Sequence, residues 1–331
     1  MLNKLLKWGG GIFLLLAAVW AALLFVPKDS GKEYRIKVVK NQGISSVSRK
    51  LAEDGVVYNR QVLAATAYVL GVHNKLRAGT YRLPAKVSAW TVLQRLRGSR
   101  PDSVTVQIRE GMRFADMRAA INAAQGIRHD TAGWSTEKLM QEIAPDALNP
   151  NPEGQFFPDS YEIDADSSDI QIYRTAYQTM QKKLDSAWDG RENGLPFQNK
   201  YELLIMASLI EKETGHPDDR EHVSAVFVNR LRKNMRLQTD PTVIYGMGSA
   251  YQGRIRKADL QRDTPYNTYT RGGLTPTPIA LPGEAALEAA ANPSDAQYLY
   301  FVSKMDDTGL SHFSHTLEEH NAAVRKYILK R

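Results

Sequence analysis

Residues 8–26 carry no charged side chain and are rich in Leu, Ala, Ile, Phe and Val. At about 1.5 Å per residue, a helix over this run would span roughly 28 Å, about the thickness of a bilayer core. Lys4 and Lys7 precede the run, and Pro27 and Lys28 close it. The pattern predicts a single transmembrane helix over 8–26 behind a short cytoplasmic tail, 1–7. A cleaved signal peptide is the alternative, but the run is long and no small-x-small site follows it. Lys28, Lys32, Arg35 and Lys37 follow the helix, so the local count of basic residues does not favour a cytoplasmic N-terminus. A long domain behind a single span translocates largely regardless of such charges, so export of the remainder is expected.

The chain has 331 residues, room for a sizeable core and two or three modules. Hydrophobic residues at 43% and charged residues at 24% describe a folded protein rather than a disordered one. The net charge of +7 is mild and suits anionic partners such as cell-wall polymer or lipid headgroups. No aromatic-basic cluster marks a nucleic-acid surface, so no nucleic-acid partner is expected. The sequence has no cysteine, which excludes disulfides and thiolate metal sites. That composition is compatible with an oxidising compartment such as the periplasm.

Past the apolar run, Tyr34-Arg35-Ile36-Lys37-Val38 alternates apolar and polar, the period of a half-buried strand. A turn at Asn41-Gln42-Gly43 and a short helix over 47–52 follow. The pattern recurs at Val104-Thr105-Val106-Gln107-Ile108, with a turn at Glu110-Gly111 and a helix over 114–121. Gly43 and Gly111 hold matching places in the two copies. This strand-Gly-helix unit looks like the opening of a LysM-type glycan-binding module, although any small βα unit gives the same pattern. Helices are also expected over 61–70, 90–96, 170–188 and 317–329, with a strand over 79–83. Breaks fall at Gly98-Ser99-Arg100-Pro101, at Asn149-Pro150-Asn151-Pro152 and at Asn193-Gly194-Leu195-Pro196.

The segment 201–215 reads as a helix, apolar nearly all round, with Gly215 as its stop. Two carboxylates sit at its C-terminal end. At about 100° per residue, Glu211 lies nearer the buried stripe than Glu213 does. Glu211 is therefore expected to be the more desolvated, with a raised pKa that suits a glycosidic general acid. The end of the helix dipole acts in the same sense. Periodicity alone also allows a surface Glu-Lys-Glu end with no role. Downstream, Asp240 and Pro241 predict a helix start, with Asp240 as N-cap. Tyr266-Asn267-Thr268-Tyr269 and the Pro-Gly-rich run 272–283 supply amides and phenols on rigid loops. A sugar groove needs such groups, although loops of this kind can also simply cover a core.

The segments 203–214 and 235–243, with Arg230-Leu231, Tyr266-Asn267-Thr268-Tyr269, Asn292-Pro293 and the upstream 153–161, closely resemble the YceG-like family of endolytic murein transglycosylases. The resemblance covers essentially the whole chain. It implies an inner-membrane enzyme facing the periplasm that cuts nascent peptidoglycan strands internally between N-acetylmuramic acid and N-acetylglucosamine, leaving 1,6-anhydro ends. It also implies a LysM-like subdomain, no cofactor, and peptidoglycan synthases of the elongation or division machinery as partners. In this resemblance the catalytic acid is the first Glu of Glu-Lys-Glu, which falls on Glu211. Gln238, Asp240, Asn267, Tyr269 and Glu213 are the expected substrate-binding residues. One departure is Thr275-Pro276-Thr277-Pro278, where the family usually has a Pro-Pro-Gly-Pro type run; it puts that loop's shape in doubt.

The expected fold is α+β: a transmembrane helix, an N-terminal α+β region over 33–100, a LysM-like subdomain over 101–155 and a YceG-like catalytic region over 156–331. A zinc hydrolase is the weaker reading. His216 and His222 stand six apart and share no helix face, and His312, His315, Glu319 and His320 straddle a loop and a helix start. A non-catalytic, membrane-tethered peptidoglycan-binding scaffold is the alternative from another class.

Overall fold

The computed structural model describes residues 2–39, 41–73, 76–98 and 101–330; the side chains of residues 2–7 and 9 lie outside this description. The chain divides into two compact units. The first holds residues 1–105 with 125–128 and 162–167, and the second holds the rest.

The first unit opens with helix α1 (Leu2–Phe25). From Trp8 onward its described face is largely exposed and apolar, including Trp8, Phe13, Leu14, Leu15 and Leu16. Its last turn is different: Leu24 is buried, and the rings of Phe25 and Trp90 lie 5.4 Å apart. Among the described residues no helix is long and apolar enough to cross a membrane, and the expected tail 1–7 falls where side chains are not described. Strand β1 (Lys28–Asp29) follows, then β2 (Tyr34–Val38), α2 (Ile44–Glu53), α3 (Arg60–Val69), β3 (Gly79–Leu83), β4 (Lys86–Val87) and α4 (Ala89–Gly98). β2 and β3 pair antiparallel from Tyr34↔Leu83 to Val38↔Gly79. The alternation read from the sequence sends Ile36 and Val38 inward, where they meet Leu51, Leu63, Leu93 and Leu96. Asn59 caps α3 by accepting the backbone N–H groups of Gln61 and Val62.

The remaining elements are β5 (Ser103–Gln107), α5 (Phe114–Ala123), α6 (Thr136–Ile143), β6 (Ser160–Asp164), α7 (Ile170–Asp189), α8 (Lys200–Glu213), α9 (Pro217–Arg232), α10 (Asp240–Met247), α11 (Lys257–Gln261), α12 (Glu284–Ala291), β7 (Tyr300–Ser303), β8 (Ser311–Ser314) and α13 (Leu317–Tyr327). β5 pairs with β6 and β7 with β8, so every sheet among the described residues is a two-stranded ladder. The strand-Gly-helix copies are not equivalent. Gly43 directly precedes α2 in extended backbone, whereas Gly111 adopts φ +73° and Arg113 takes the capping place before α5.

Helix α8 is the axis of the second unit. Residues from Leu203 to Ile210 are all buried, as an all-apolar helix requires. Asn199 caps its start by accepting the Glu202 N–H. Helix α12 packs against α8 through Ala286, Ala289, Ala290 and Ala291, whose small side chains allow close approach. Helices α7 and α9 flank the pair. Ser208 fixes the Pro-rich loop to α8, its hydroxyl accepting the Ile279 N–H at 3.0 Å. The Thr-Pro-Thr-Pro variation is absorbed internally: Thr275 donates to the Thr277 carbonyl and Thr277 shares a hydrogen bond with Tyr266. Glu153, buried, accepts the Phe114 N–H and the Tyr245 hydroxyl, which ties the start of α5 to α10.

Gly154 is where backbone geometry leaves no choice. It adopts φ +76°, and a Cβ there would lie 2.4 Å from Pro278 Cβ. The proline ring cannot swing away. Gly154→Ala is expected to destabilise the protein by about 2–4 kcal/mol, combining left-handed strain with overpacking. Urea unfolding checks this, and a loss below about 1 kcal/mol would mean that the loop yields.

Candidate active site

Helix α8 ends at Glu213. Thr214 turns extended there at φ −141°, and Gly215, the expected stop, does not adopt left-handed backbone. The two carboxylates near this end are two residues apart, so about 200° of helix rotation separates them. They consequently face different surroundings.

Glu211 accepts the Gly283 N–H at 3.0 Å. Its neighbour Lys212 donates to the Gly111 carbonyl, and the backbones of Gly111 and Met112 bond to Leu281 on both sides. Glu211 thus belongs to a clasp joining the 110–112 turn to the start of α12. Burial raises its pKa; the Gly283 N–H opposes that and the Glu110 charge adds to it.

Glu213 points the other way, into a cleft of about 390 Å³. The cleft is lined by Glu213, Gln238, Asp240 and Tyr269 together with Arg230, Tyr300 and His320. The Glu213 carboxyl is enclosed more completely than that of Glu211, contrary to the helical-wheel expectation. The wheel weighs only α8's own buried stripe, and the loop 237–240 adds the missing cover. Burial is the main cause of Glu213's raised pKa, and the Asp240 charge pushes the same way. A hydrogen bond from the Thr239 hydroxyl, 2.5 Å long, and the charge of Arg230 act against it.

Four of the expected substrate-binding residues, Glu213, Gln238, Asp240 and Tyr269, meet in this cleft. Gln238 sits at φ +51°, a conformation costly for a side chain of this kind, at the rim where the chain turns into α10. Asp240 is not the N-cap of α10. Thr239 takes that place, which leaves the Asp240 carboxylate to accept the Tyr269 hydroxyl at 2.6 Å. Asn267 is different. It is fully buried, with its amide donating to Leu260 and Arg262 carbonyls and its oxygen accepting the Tyr269 N–H. It shapes the loop that presents Tyr269 and has no free face for a sugar.

Arg230, Thr239, Tyr300 and His320 were not among the expected site residues. Arg230 is almost entirely buried on α9, with Nε donating to the Leu299 carbonyl at 2.7 Å and Nη1 to that of Leu237 at 2.8 Å. Its guanidinium lies 5.1 Å from the centre of the Tyr300 ring. A charged residue two positions past the mostly apolar run 223–228 was the signal available in the sequence. Of the histidines weighed as zinc ligands, His312 lies against Tyr327, His222 and His315 against Tyr298, and His320 against Tyr300.

The arrangement defines a class: an α+β protein whose second unit holds a desolvated carboxyl in a polar, aromatic-walled cleft. The chain belongs to the YceG-like family, whose model matches residues 36–326. It is 33% identical to the endolytic murein transglycosylase of Bacillus subtilis (strain 168), a match covering 92% of this chain and 87% of that one. It is 25% identical to the endolytic murein transglycosylase of Streptococcus pneumoniae serotype 2 (strain D39), covering 93% of this chain and 60% of the relative. A crystal structure of a YceG-like protein from Listeria monocytogenes superposes with a TM-score of 0.56 at 28% identity, covering 88% of this chain and 99% of that one.

Proposed function

We propose that this protein is an endolytic murein transglycosylase and that Glu213 is its proton carrier. The observation carrying this reading is the cleft around the Glu213 carboxyl, which joins a raised pKa to amide, phenol and carboxylate side chains of the kind a sugar groove needs. The relatives named endolytic murein transglycosylase support the reaction class. The choice of Glu213 moves the expected acid two residues along α8, because Glu211 is engaged by Gly283 in a loop clasp.

In this mechanism protonated Glu213 gives its proton to the β-1,4 bridging oxygen between N-acetylmuramic acid and N-acetylglucosamine, and the bond from the anomeric carbon to that oxygen breaks. The carboxylate left behind takes the proton of the muramyl 6-hydroxyl, whose oxygen bonds to the anomeric carbon and closes a 1,6-anhydro ring. Water is not consumed, so no second carboxylate is needed to activate it. Arg230, beside Glu213, would steady the transient carboxylate, and Asp240 would hold Tyr269 against the strand.

The exposed apolar surface of α1 supports a single-pass anchor in the inner membrane with the rest of the chain periplasmic. The strand-helix openings β2–α2 and β5–α5 are offered as glycan-binding elements, the latter within the LysM-like segment 101–155. Synthase partners rest on the family resemblance alone.

The test is digestion of purified peptidoglycan with product analysis by mass spectrometry. Anhydro-ended fragments are expected. Ordinary reducing ends would make the protein a hydrolase, and binding without cleavage by the full chain in vesicles would leave the tethered scaffold.

A further inference from the structure

His320 lines the same cleft, one turn into α13, with its ring stacked on Tyr300 at 5.3 Å and 24°. Its Nδ1 is enclosed and has no hydrogen-bond partner among the described residues. Nε2 is not enclosed in this way and likewise has no protein partner there. Burial, with Arg230 and His312 close by, holds the ring's pKa below its ordinary value, so the ring is neutral near pH 7. A neutral imidazole has one N–H. Enclosing an N–H without an acceptor costs more than enclosing a bare lone pair. The proton therefore belongs on Nε2, which makes that atom a donor without a protein partner on the cleft wall.

The cleft that holds this donor also has apolar lining, from Phe301 and Leu317. A carbonyl acceptor with a methyl group beside it satisfies both features, and the acetamido group of an N-acetylated sugar has that form. A carboxylate would look instead to the charged Arg230, whose Nε and Nη1 are committed to backbone carbonyls but whose Nη2 is not, rather than to a neutral imidazole N–H. A hydroxyl would leave Phe301 and Leu317 without a partner.

We propose that His320 is a substrate-binding residue whose Nε2–H donates to the acetamido carbonyl of a sugar flanking the scissile bond, with the methyl against Phe301 and Leu317. This rests on the reading of the Glu213 cleft as the catalytic groove. The test compares full-chain H320A, H320N and H320Q on N-acetylated and chemically de-N-acetylated strands, with melting curves as controls. A glutamine amide reaches where Nε2 stands, whereas an asparagine amide reaches only where Nδ1 stands. H320A and H320N are expected to lose about tenfold in kcat/KM on acetylated strands, and H320Q to keep most of it. The preference of wild type for acetylated strands is expected to shrink by the same factor in H320A. Equal activity of H320N and H320Q, or an undiminished preference in H320A, would overturn the proposal. Should H320A fail to fold, the Asn–Gln contrast decides alone. If E213Q cleaved at the wild-type rate, the cleft reading itself would fall, which is a different result from an inert His320.

Discussion

Glu213→Gln is expected to slow glycan cleavage by about 10³-fold or more while leaving the fold intact, because the amide keeps the shape of the carboxyl but has no proton to give. Burial raises the Glu213 pKa, so the acid form persists above the ordinary carboxyl range. Activity should hold on the acidic side and fall as pH rises through that raised pKa, and any residual activity of the variant should lack this limb. Stability follows with a definite sign. A carboxyl whose folded pKa is raised contributes stability that is fully present below its unfolded pKa. That contribution is lost as pH rises through the folded value. Glu153, Glu211 and Glu213 are all raised, with burial as the first cause each time. Wild type should thus lose stability on moving from mildly acidic to mildly alkaline pH. Glu213→Gln should lose less and be at least as stable as wild type at neutral pH. Melting curves across that range check both points, and a variant less stable than wild type at alkaline pH would contradict them.

Arg230→Leu is expected to cost about 3–5 kcal/mol of stability and most of the activity. Removing the guanidinium strips donors from the carbonyls of Leu299 and Leu237 and leaves Glu213 without its balancing charge. One of these carbonyls leads into β7 and the other into α10, so losing their donor loosens both segments at the cleft. Lysine should rescue little. One ammonium on a flexible stem cannot reproduce two fixed N–H directions or the planar contact with Tyr300. Urea unfolding of the Leu and Lys variants tests this, and losses under about 1 kcal/mol in both would show that Arg230 is dispensable to the fold.

Much of the fold was legible in the sequence because it rests on periodicity. The alternation at 34–38 became β2 with Ile36 and Val38 inward, and the apolar run near 203–210 became the buried axis α8. What was not legible depended on distant segments. Glu211 was ranked as the deeper acid from α8's own stripe, but burial at a helix end is set by whatever packs there, and the loop 237–240 lies closer to Glu213. Asn267 had a sugar-binding composition, yet its carbonyl partners at Leu260 and Arg262 sit in α11 and just beyond it, which sequence reading had not placed. Asp240 was expected to cap a helix and instead orients a tyrosine, because the helix starts one residue earlier, with Thr239 in the capping place. His320 belonged to a cluster judged only for metal-ligand spacing, and its place on the cleft wall emerged once α13 had docked against β7.

The sharpest measurement is the rate at which Glu211→Gln and Glu213→Gln each form anhydro-muramyl ends from the same peptidoglycan, read by mass spectrometry. With Glu213 as proton carrier and Glu211 as a loop clasp, Glu211→Gln keeps cleavage within about tenfold of wild type, because its amide can still accept the Gly283 N–H, whereas Glu213→Gln loses about 10³-fold or more. The reverse order, with Glu211→Gln inactive and Glu213→Gln still cutting, would return the acid to Glu211 and contradict the assignment of the cleft.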